Sequence, residues 1–454
     1  MDMSNMTAAG CLQPGISAPG ADTTVPGAPG SGNNGSVCHS GGADPYERYG
    51  KGRLQDRLFI GLMSGTSIDG IDAVLMSIGQ DEKGAMRYRT LATAAVDWSD
   101  EERAMLNGLC SAGSEHDNVY NLGLASNAVA LGESRAVTAV LSKAGVSAQD
   151  VFAIGAHGQT IRHHPEAGFS IQIDNGPLLA STTGIDAVVN FRAADIANGG
   201  QGAPLAQAFH QSVFADSNRT RVVLNLGGIA NISVLPGGHN LLTAFDTGPA
   251  NTLMDYVCRT FLDIPFDPDG AHARKGKCDE QQLSSLLKHE YFARPWPKST
   301  GRELFNQDFI APLLKELNPQ STEQINDLLA LLTELTASTV TDAISRVCDA
   351  HPEVMSTSID LVACGGGAFN SFLLERMVAL GSKAGLELTV MQAQDFGVDP
   401  KFLEAEAFAW FAWCTVNAVP LPLFSSSNAR RLSIAGTLCP APDGAFSRLI
   451  RATR

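Results

Sequence analysis

The chain has 454 residues, is 44% hydrophobic and carries a formal net charge of −15. Its length suits two or three domains with sizeable cores, and its acidic balance argues against a nucleic-acid partner or an anionic membrane surface. Any bound nucleotide must be held by local donors and metal, because the overall field repels it.

Nine cysteines are scattered without a C-x-x-C pair. An odd count in a large chain argues against a disulfide framework, so a reduced cytoplasmic compartment is expected. No apolar run approaches the ~18–20 residues of a transmembrane helix. The N-terminal segment lacks the basic start and apolar core of a signal peptide. Residues 1–50 are dominated by Gly, Ala, Ser, Pro and Asn, with no aromatic residue before Tyr46. Such a segment cannot bury enough apolar surface to offset its ordering entropy. A disordered tail is expected over 1–56, with the folded chain beginning near Arg57.

Residues 58–78 then read as two strands, 58–63 and 71–78, around a polar turn, 64–70. Gly65 and Gly70 allow a ligand close to the backbone, and Ser64, Thr66 and Ser67 add hydroxyls. Such a loop offers an anion several donors without a Lys, and Asp69 or Asp72 could hold Mg²⁺ through water. On its own the segment reads equally well as an ordinary Gly/Ser hairpin. A helical stretch is expected at about 100–145, then a strand and Gly loop in FAIGAHGQTIRHH (152–164).

The second half opens the same way. RVVLNLGGIANISVL (221–235) is an apolar run, a Gly/Asn turn and a second run. In TAFDTGPANTLMDYVCRTFL (243–262), Asp246 ends a strand and Gly248 precedes a helix. IDLVACGGGAFNSFLLERMVAL (359–380) repeats strand, Gly loop and helix. This grammar suggests internal duplication and an α/β fold with ligand loops at strand ends. The chain contains neither a P-loop nor a G-x-G-x-x-G opening a first helix, and the Ser67 turn is not a G-x-S-x-G elbow. Nucleotide binding by several Gly loops closing on a cleft remains, as in the actin, sugar kinase and Hsp70 superfamily.

Eight segments fall in one collinear series: MSGTSIDGID (63–72), GAHGQTIRHHP (155–165), GGQGAPLAQAFH (199–210), NLGGIANIS (225–233), FDTGPANTLMD (245–255), PKSTGRELFN (297–306), CGGGAFN (364–370) and EAEAFAW (404–410). The series resembles the anhydro-N-acetylmuramic acid kinase family over roughly residues 58–440. The resemblance implies two duplicated actin-like, ribonuclease H-like domains flanking an ATP cleft. Domain I would span 57–200 and domain II 201–454, with the late helix near 402–417 packing back toward domain I. It further implies a bacterial, cytoplasmic enzyme of cell-wall recycling. The enzyme would use ATP and Mg²⁺ to open the 1,6-anhydro ring of 1,6-anhydro-N-acetylmuramic acid and phosphorylate O6. Its partner is a small-molecule sugar, with no nucleic acid or membrane, and a homodimer is compatible.

By the resemblance, Asp246 is the base and Glu404 a second carboxylate. Read locally, without the resemblance, Asp246 is better taken as a helix N-cap, and helical spacing cannot choose Glu404 over Glu406. ATP contacts are expected from Ser64, Gly65, Thr66, Ser67, Ile68, Asp69, Gly70, Ile71, Asn225, Gly227, Gly228, Gly248, Gly365, Gly366 and Gly367, with Asp69 on the metal through water. Sugar contacts are expected from Thr160 and Gln172. His157 could orient a neighbour or be structural. The chain reads Asn190-Phe191-Arg192-Ala193-Ala194-Asp195 where the family commonly has Asp-Phe-Arg-x-Arg-Asp, so Arg192 is the candidate to replace the arginine missing at Ala194. Asp174 and Ala250 also depart from the pattern. An amino-sugar kinase without ring hydrolysis, or a silent nucleotide-binding regulator, are the alternatives.

Overall fold

The computed structural model describes residues 55–65, 68–82, 86–301, 304–421 and 429–452. The expected tail up to residue 54, and Thr66 and Ser67 of the first loop, lie outside the described residues.

The first apolar runs form β1 (Arg57–Met63) and β2 (Gly70–Gln80), an antiparallel hairpin with Ile60 opposite Leu75 and Met63 opposite Asp72. β3 (Met86–Asp97) continues the meander. The stretch at 100–145 is two helices, α1 (Asp100–Cys110) and α2 (Val119–Ala144). Asn118 starts the second by accepting the Asn121 N–H on its side chain, which leaves a polar break before it. β4 (Val151–Ala156) lies parallel to β1. β5 (Gln159–His164) and β6 (Phe169–Ile173) form a separate two-stranded ribbon. α3 (Gly176–Thr183), β7 (Ala187–Val189) and α4 (Ala193–Ala197) close this half, and α5 (Ala206–Phe214) leads into the second, its His210 Nδ1 2.9 Å from the Ser233 hydroxyl.

The second half repeats the plan with β8 (Thr220–Leu226), β9 (Ile229–Leu235), β10 (Thr243–Pro249), β11 (Ser358–Cys364) and β12 (Glu387–Gln392). Its strand order, β10-β9-β8-β11-β12, matches β3-β2-β1-β4-β7 of the first sheet. In both, the first three strands are antiparallel and the next two join in parallel. The first sheet gains a sixth strand, β13 (Thr437–Cys439), from the far end of the chain. Helices α6 (Asn251–Phe261), α7 (Glu280–Leu286), α8 (Glu290–Ala293), α9 (Gln307–Leu317), α10 (Thr322–Ala350) and α11 (Ser371–Lys383) serve the second sheet. Of the described helices, α10 alone is long and apolar enough to cross a membrane, but it is buried in the protein.

Alternation along the central strands divides the core. Val222, Leu224, Leu361 and Ala363 face the α10 and α11 side, while Val223 and Val362 face the other. That other cluster also holds Phe59, Val74 and Ala153 of the first sheet, so one core serves both sheets. Its centre is α12 (Leu403–Val416), LEAEAFAWFAWCTV, which is apolar on nearly every side and so must be buried all round. The helix backbone lies directly on β1 and β4. A Cβ at Gly61 would strike the Ala405 carbonyl, and one at Gly155 the Phe408 carbonyl.

Gly61→Ala should destabilise the protein by more than ~3 kcal/mol, the upper end of ordinary overpacking, because the obstacle is helix backbone that cannot repack. Gly123→Ala, mid-helix in α2 with open space around it, should stabilise by ~0.5–1 kcal/mol. Urea unfolding of both variants checks the contrast.

Candidate active site

The first loop is anchored from below. Ser64 is buried; its hydroxyl donates to Gln159 Oε1 at 2.7 Å and accepts from Trp98 Nε1 at 3.1 Å. Gln159 also donates to the Gly65 carbonyl at 3.2 Å. The Ser64 side chain is thereby committed to the fold. Ile68 and Ile71 are core residues, and Gly70 packs against the Val96 carbonyl. Ile68 holds φ 55° although β-branched, a strained turn position. Asp69 is exposed, and its carbonyl accepts the Trp98 N–H.

A hydrogen-bonded bridge runs from this loop to the Gly-rich segment at 199–202. His157 Nδ1 lies 3.2 Å from the Ser64 carbonyl and 3.0 Å from the Gly158 carbonyl. Its Nε2 is 2.8 Å from Arg192 Nη2. Two carbonyls on one side and a guanidinium on the other fix the neutral Nδ1–H tautomer. Burial, then the Arg192 charge, lower the His157 pKa to about 3. Arg192 Nη1 donates to the Gly202 carbonyl at 2.7 Å, and its Nε is buried with no protein partner. Burial lowers the Arg192 pKa to about 10 against the pull of Glu404 and Asp195.

Glu404 and Glu406 part company on α12. Glu404 opens to solvent beside Arg192 and Asp72. Protein around it, and secondarily the Asp72 carboxylate, push its pKa up while Arg192 pulls it down. Because water reaches the side chain, the desolvation is partial. Glu406 is fully buried and accepts the Thr90 hydroxyl at 2.6 Å. Asp72, half-buried on β2, is raised chiefly by burial, with Lys401 lowering and Asp399 raising it.

The second half meets this region through the segment before α12. Gly365 N–H donates to the Pro400 carbonyl at 3.1 Å. Gly365, with φ 76°, sits against Asn225 Oδ1, and Gly367 against Leu226 and Asn251, leaving no room for a Cβ at either. Gly366 is exposed above them. Asn251 Nδ2 donates to the Leu226 carbonyl at 2.9 Å, while the Asn251 and Thr252 amides donate to the Gly227 and Gly228 carbonyls. The turn at 225–231, the loop at 365–367 and the start of α6 therefore form one cluster. Gly248 pairs with Ala230 of that turn across the β9–β10 ladder and is buried under Phe292 and Thr339.

Asp246 sits on β10, half-buried, with a bulge following it. It is held by the 298–300 segment rather than acting as a helix cap. Thr300 N–H donates to Asp246 Oδ2 at 2.9 Å, and Asp246 N–H donates to the Lys298 carbonyl at 3.0 Å. The Tyr291 hydroxyl donates to the Asp246 carbonyl at 2.7 Å.

On the β5–β6 ribbon, Thr160 and Gln172 are direct cross-strand partners, joined by a 3.2 Å bond from Gln172 Nε2 to Thr160 Oγ1. Gln172 Oε1 is buried without a protein partner, as is Asp174 Oδ2 nearby. Burial raises Asp174 to about 6. Glu133 of α2, fully buried, is raised well above the ordinary range by burial and then by Asp174. No group of three His, Cys, Asp or Glu among the described residues could hold a metal ion alone.

The anhydro-N-acetylmuramic acid kinase family model matches residues 57–441. A Shewanella halifaxensis protein named anhydro-N-acetylmuramic acid kinase is 41% identical over 390 residues, covering 86% of this chain and all of that one. A relative of the same name from Shewanella sp. (strain MR-7) is 40% identical over 380 residues, covering 83% and 97%. This chain belongs to the anhydro-N-acetylmuramic acid kinase family. It is a phosphotransferase. Solved structures resemble it more distantly. A ROK hexokinase from Thermus thermophilus has a TM-score of 0.35 at 16% identity, covering 78% of this chain and 99% of its own. The ADPNP-bound activator of 2-hydroxyisocaproyl-CoA dehydratase from Clostridium difficile has a TM-score of 0.36 at 14% identity, covering 78% and 94%.

Within the family match, sequence reasoning missed Gln159, Trp98, Thr300 and Tyr291 as site organisers. Gln159 and Thr300 lie inside quoted motifs, at 155–165 and 297–306, but nothing local says what they hold. Trp98 and Tyr291 lie outside every motif.

The buried Glu406 yields a pH test. Burial raises its pKa from 4.5 to about 7, against the Thr90 hydroxyl. The folded state thus holds this proton more tightly, and the contribution to stability is lost as pH rises from 4.5 toward 7. Glu406→Gln should gain on the parent by up to ~3 kcal/mol between pH 4.5 and pH 8. Unfolding free energies at both pH values check this; a constant gap contradicts it.

Proposed function

We propose that this enzyme opens the 1,6-anhydro ring of 1,6-anhydro-N-acetylmuramic acid and transfers the γ-phosphoryl group of ATP to the released O6. The product is N-acetylmuramic acid 6-phosphate, in cytoplasmic cell-wall recycling. The observation that carries the reading is the family match over residues 57–441, which includes both Asp246 and Glu404.

Ring opening needs water at the anomeric carbon and a carboxylate to take its proton. Asp246 is the base. The Thr300 amide donates to its carboxylate, while the Lys298 carbonyl and the Tyr291 hydroxyl hold its backbone. As the water oxygen bonds to C1, the C1–O6 bond breaks and its electron pair stays on O6. That oxygen attacks the γ-phosphorus, the bond to the β-phosphate oxygen breaks, and ADP leaves. The proton on Asp246 passes to solvent. Glu404, set between Arg192 and Asp72, orients the sugar. Thr160 and Gln172 supply a hydroxyl and an amide oxygen from the ribbon. With Ala194 in the α4 turn, Arg192 Nε is a nearby donor for the lactyl carboxylate.

Magnesium fits the donor set as an ion that arrives with ATP. Such sites use one or two carboxylates plus phosphate oxygens and water, and Asp72 or Asp69 would hold it through water. When bound it neutralises charge on the β- and γ-phosphates.

Asp246→Asn keeps the shape and removes the proton acceptor. It should lower turnover of the anhydro sugar at least ~10²-fold with ATP binding retained. Glu404→Gln should slow turnover by less, and Thr160→Val should act mainly on KM. An ADP-release assay with the anhydro sugar, paired with nucleotide titration, reads all three. Near-parental turnover in a folded, ATP-binding Asp246→Asn variant would remove Asp246 as the base.

A further inference from the structure

A cavity of about 300 Å³ lies behind the strand that carries Asp246, between β10 and α10. Phe245 and Thr247 line it, while Asp246 between them does not. Strand alternation thus puts the cavity and the aspartate side chain on opposite faces of β10. The floor is apolar. Phe245 and Trp296 stack with ring centroids 5.5 Å apart and planes 11° from parallel.

Two cations converge at this cavity on one acceptor. Lys298 Nζ donates to the Phe292 carbonyl at 3.2 Å, and Arg346 Nη1 donates to the same oxygen at 3.0 Å. Lys298 also donates to the Tyr291 carbonyl at 3.1 Å, and the Arg346 guanidinium lies 5.8 Å over the Trp296 ring. The adjacent carboxylate, Asp342, is 3.4 Å from Arg346, and its side chain is 64% exposed. It offsets the paired charge only in part. Burial, and then Arg346, pull the Lys298 pKa down to about 8, with Arg294 adding to this and Asp342 and Asp246 acting the other way. The Lys298 ammonium also lies 4.6 Å over the Tyr291 ring. Apart from the exposed Asp342, these cations meet only neutral acceptors among the described residues, and an anionic oxygen between them would relieve their repulsion through charge-assisted hydrogen bonds. The stacked rings suit an apolar or planar body.

We propose that this cavity is a second ligand site, separate from the cleft, for a small organic carboxylate with an aromatic or aliphatic body. The carboxylate sits between Lys298 and Arg346, and the body lies on Phe245 and Trp296. The site is wired to the aspartate on the far face of the strand. The segment that supplies Trp296 and Lys298 also supplies the Lys298 carbonyl and the Thr300 amide that hold Asp246. A ligand that draws Lys298 inward therefore acts on the clamp. This consequence for turnover rests on the reading of Asp246 as the base; the binding itself does not.

The test is calorimetric titration of the full chain with benzoate, cyclohexanecarboxylate and neutral benzamide, with and without saturating anhydro sugar and a non-hydrolysable ATP analogue. Both carboxylates should bind saturably, benzamide at least tenfold more weakly, and cleft ligands should leave benzoate affinity unchanged. Arg346→Met and Lys298→Met should each weaken benzoate at least tenfold, and Ser338→Leu, which narrows the cavity, should do the same. No benzoate binding, equal binding of benzamide, undiminished binding in all three variants, or competition by the cleft ligands would overturn the site. In the turnover arm, benzoate should change kcat at least twofold at constant KM for ATP; binding with unchanged kcat would overturn the coupling to Asp246. An enzyme inactive on the anhydro sugar would count against the proposed reaction, while the titrations would still decide the site.

Discussion

The absence of two β-carbons, at Gly61 and Gly155, sets the geometry on which the rest depends. It lets the α12 backbone lie directly on β1 and β4. Side chains at those positions would hold the helix off by the width of a methyl group or more. Because α12 is the shared core of both sheets, that spacing fixes how its first turn presents Glu404 to Arg192 and Asp72. The segment leading into it also fixes the second half, through the bond from Gly365 to the Pro400 carbonyl. A single helix therefore sets the positions of the loops from both halves.

Electrostatics around Glu404 follow from the same packing. Asp72, Asp399 and Glu404 bring three carboxylates to the junction, against Arg192 and Lys401. Arg192 is already bonded to His157 and Gly202. A bare nucleotide triphosphate would meet repulsion here, in keeping with the acidity of the whole chain. The divalent ion of the proposed reaction would ease that repulsion. Burial that keeps His157 neutral lets it accept from Arg192 while donating to the first loop. A protonated imidazole could not do both.

The sequence disclosed the local grammar well, for physical reasons. Apolar runs and Gly-rich turns marked both hairpins, because strands covered on both faces are apolar at consecutive positions. The same signals could not say where α12 docks, since a helix apolar on every side carries no preferred face. They left Glu404 and Glu406 equivalent, and only the packing separates the solvent-reached carboxylate from the one bonded to Thr90. Composition marked Ser64 as a hydroxyl near phosphate, whereas Gln159 and Trp98, far away in sequence, commit it to the fold. The break between α1 and α2 is a short turn through Ser111, Gly113, Ser114 and Asp117 that ends on the capping Asn118, which a reading of 100–145 as one helical stretch passes over. The clamp on Asp246 comes from residues some 50 positions away (|i−j| = 54 for Thr300), beyond any local pattern.

The most direct measurement is a crystal structure of the enzyme with 1,6-anhydro-N-acetylmuramic acid and a non-hydrolysable ATP analogue. The account predicts one sugar in contact with both Glu404 and the Thr160–Gln172 pair. A water should sit within hydrogen-bond reach of Asp246 and in line with C1, and O6 should face the γ-phosphate. A sugar bound away from Asp246, or a carboxylate other than Asp246 on the attacking water, would contradict it.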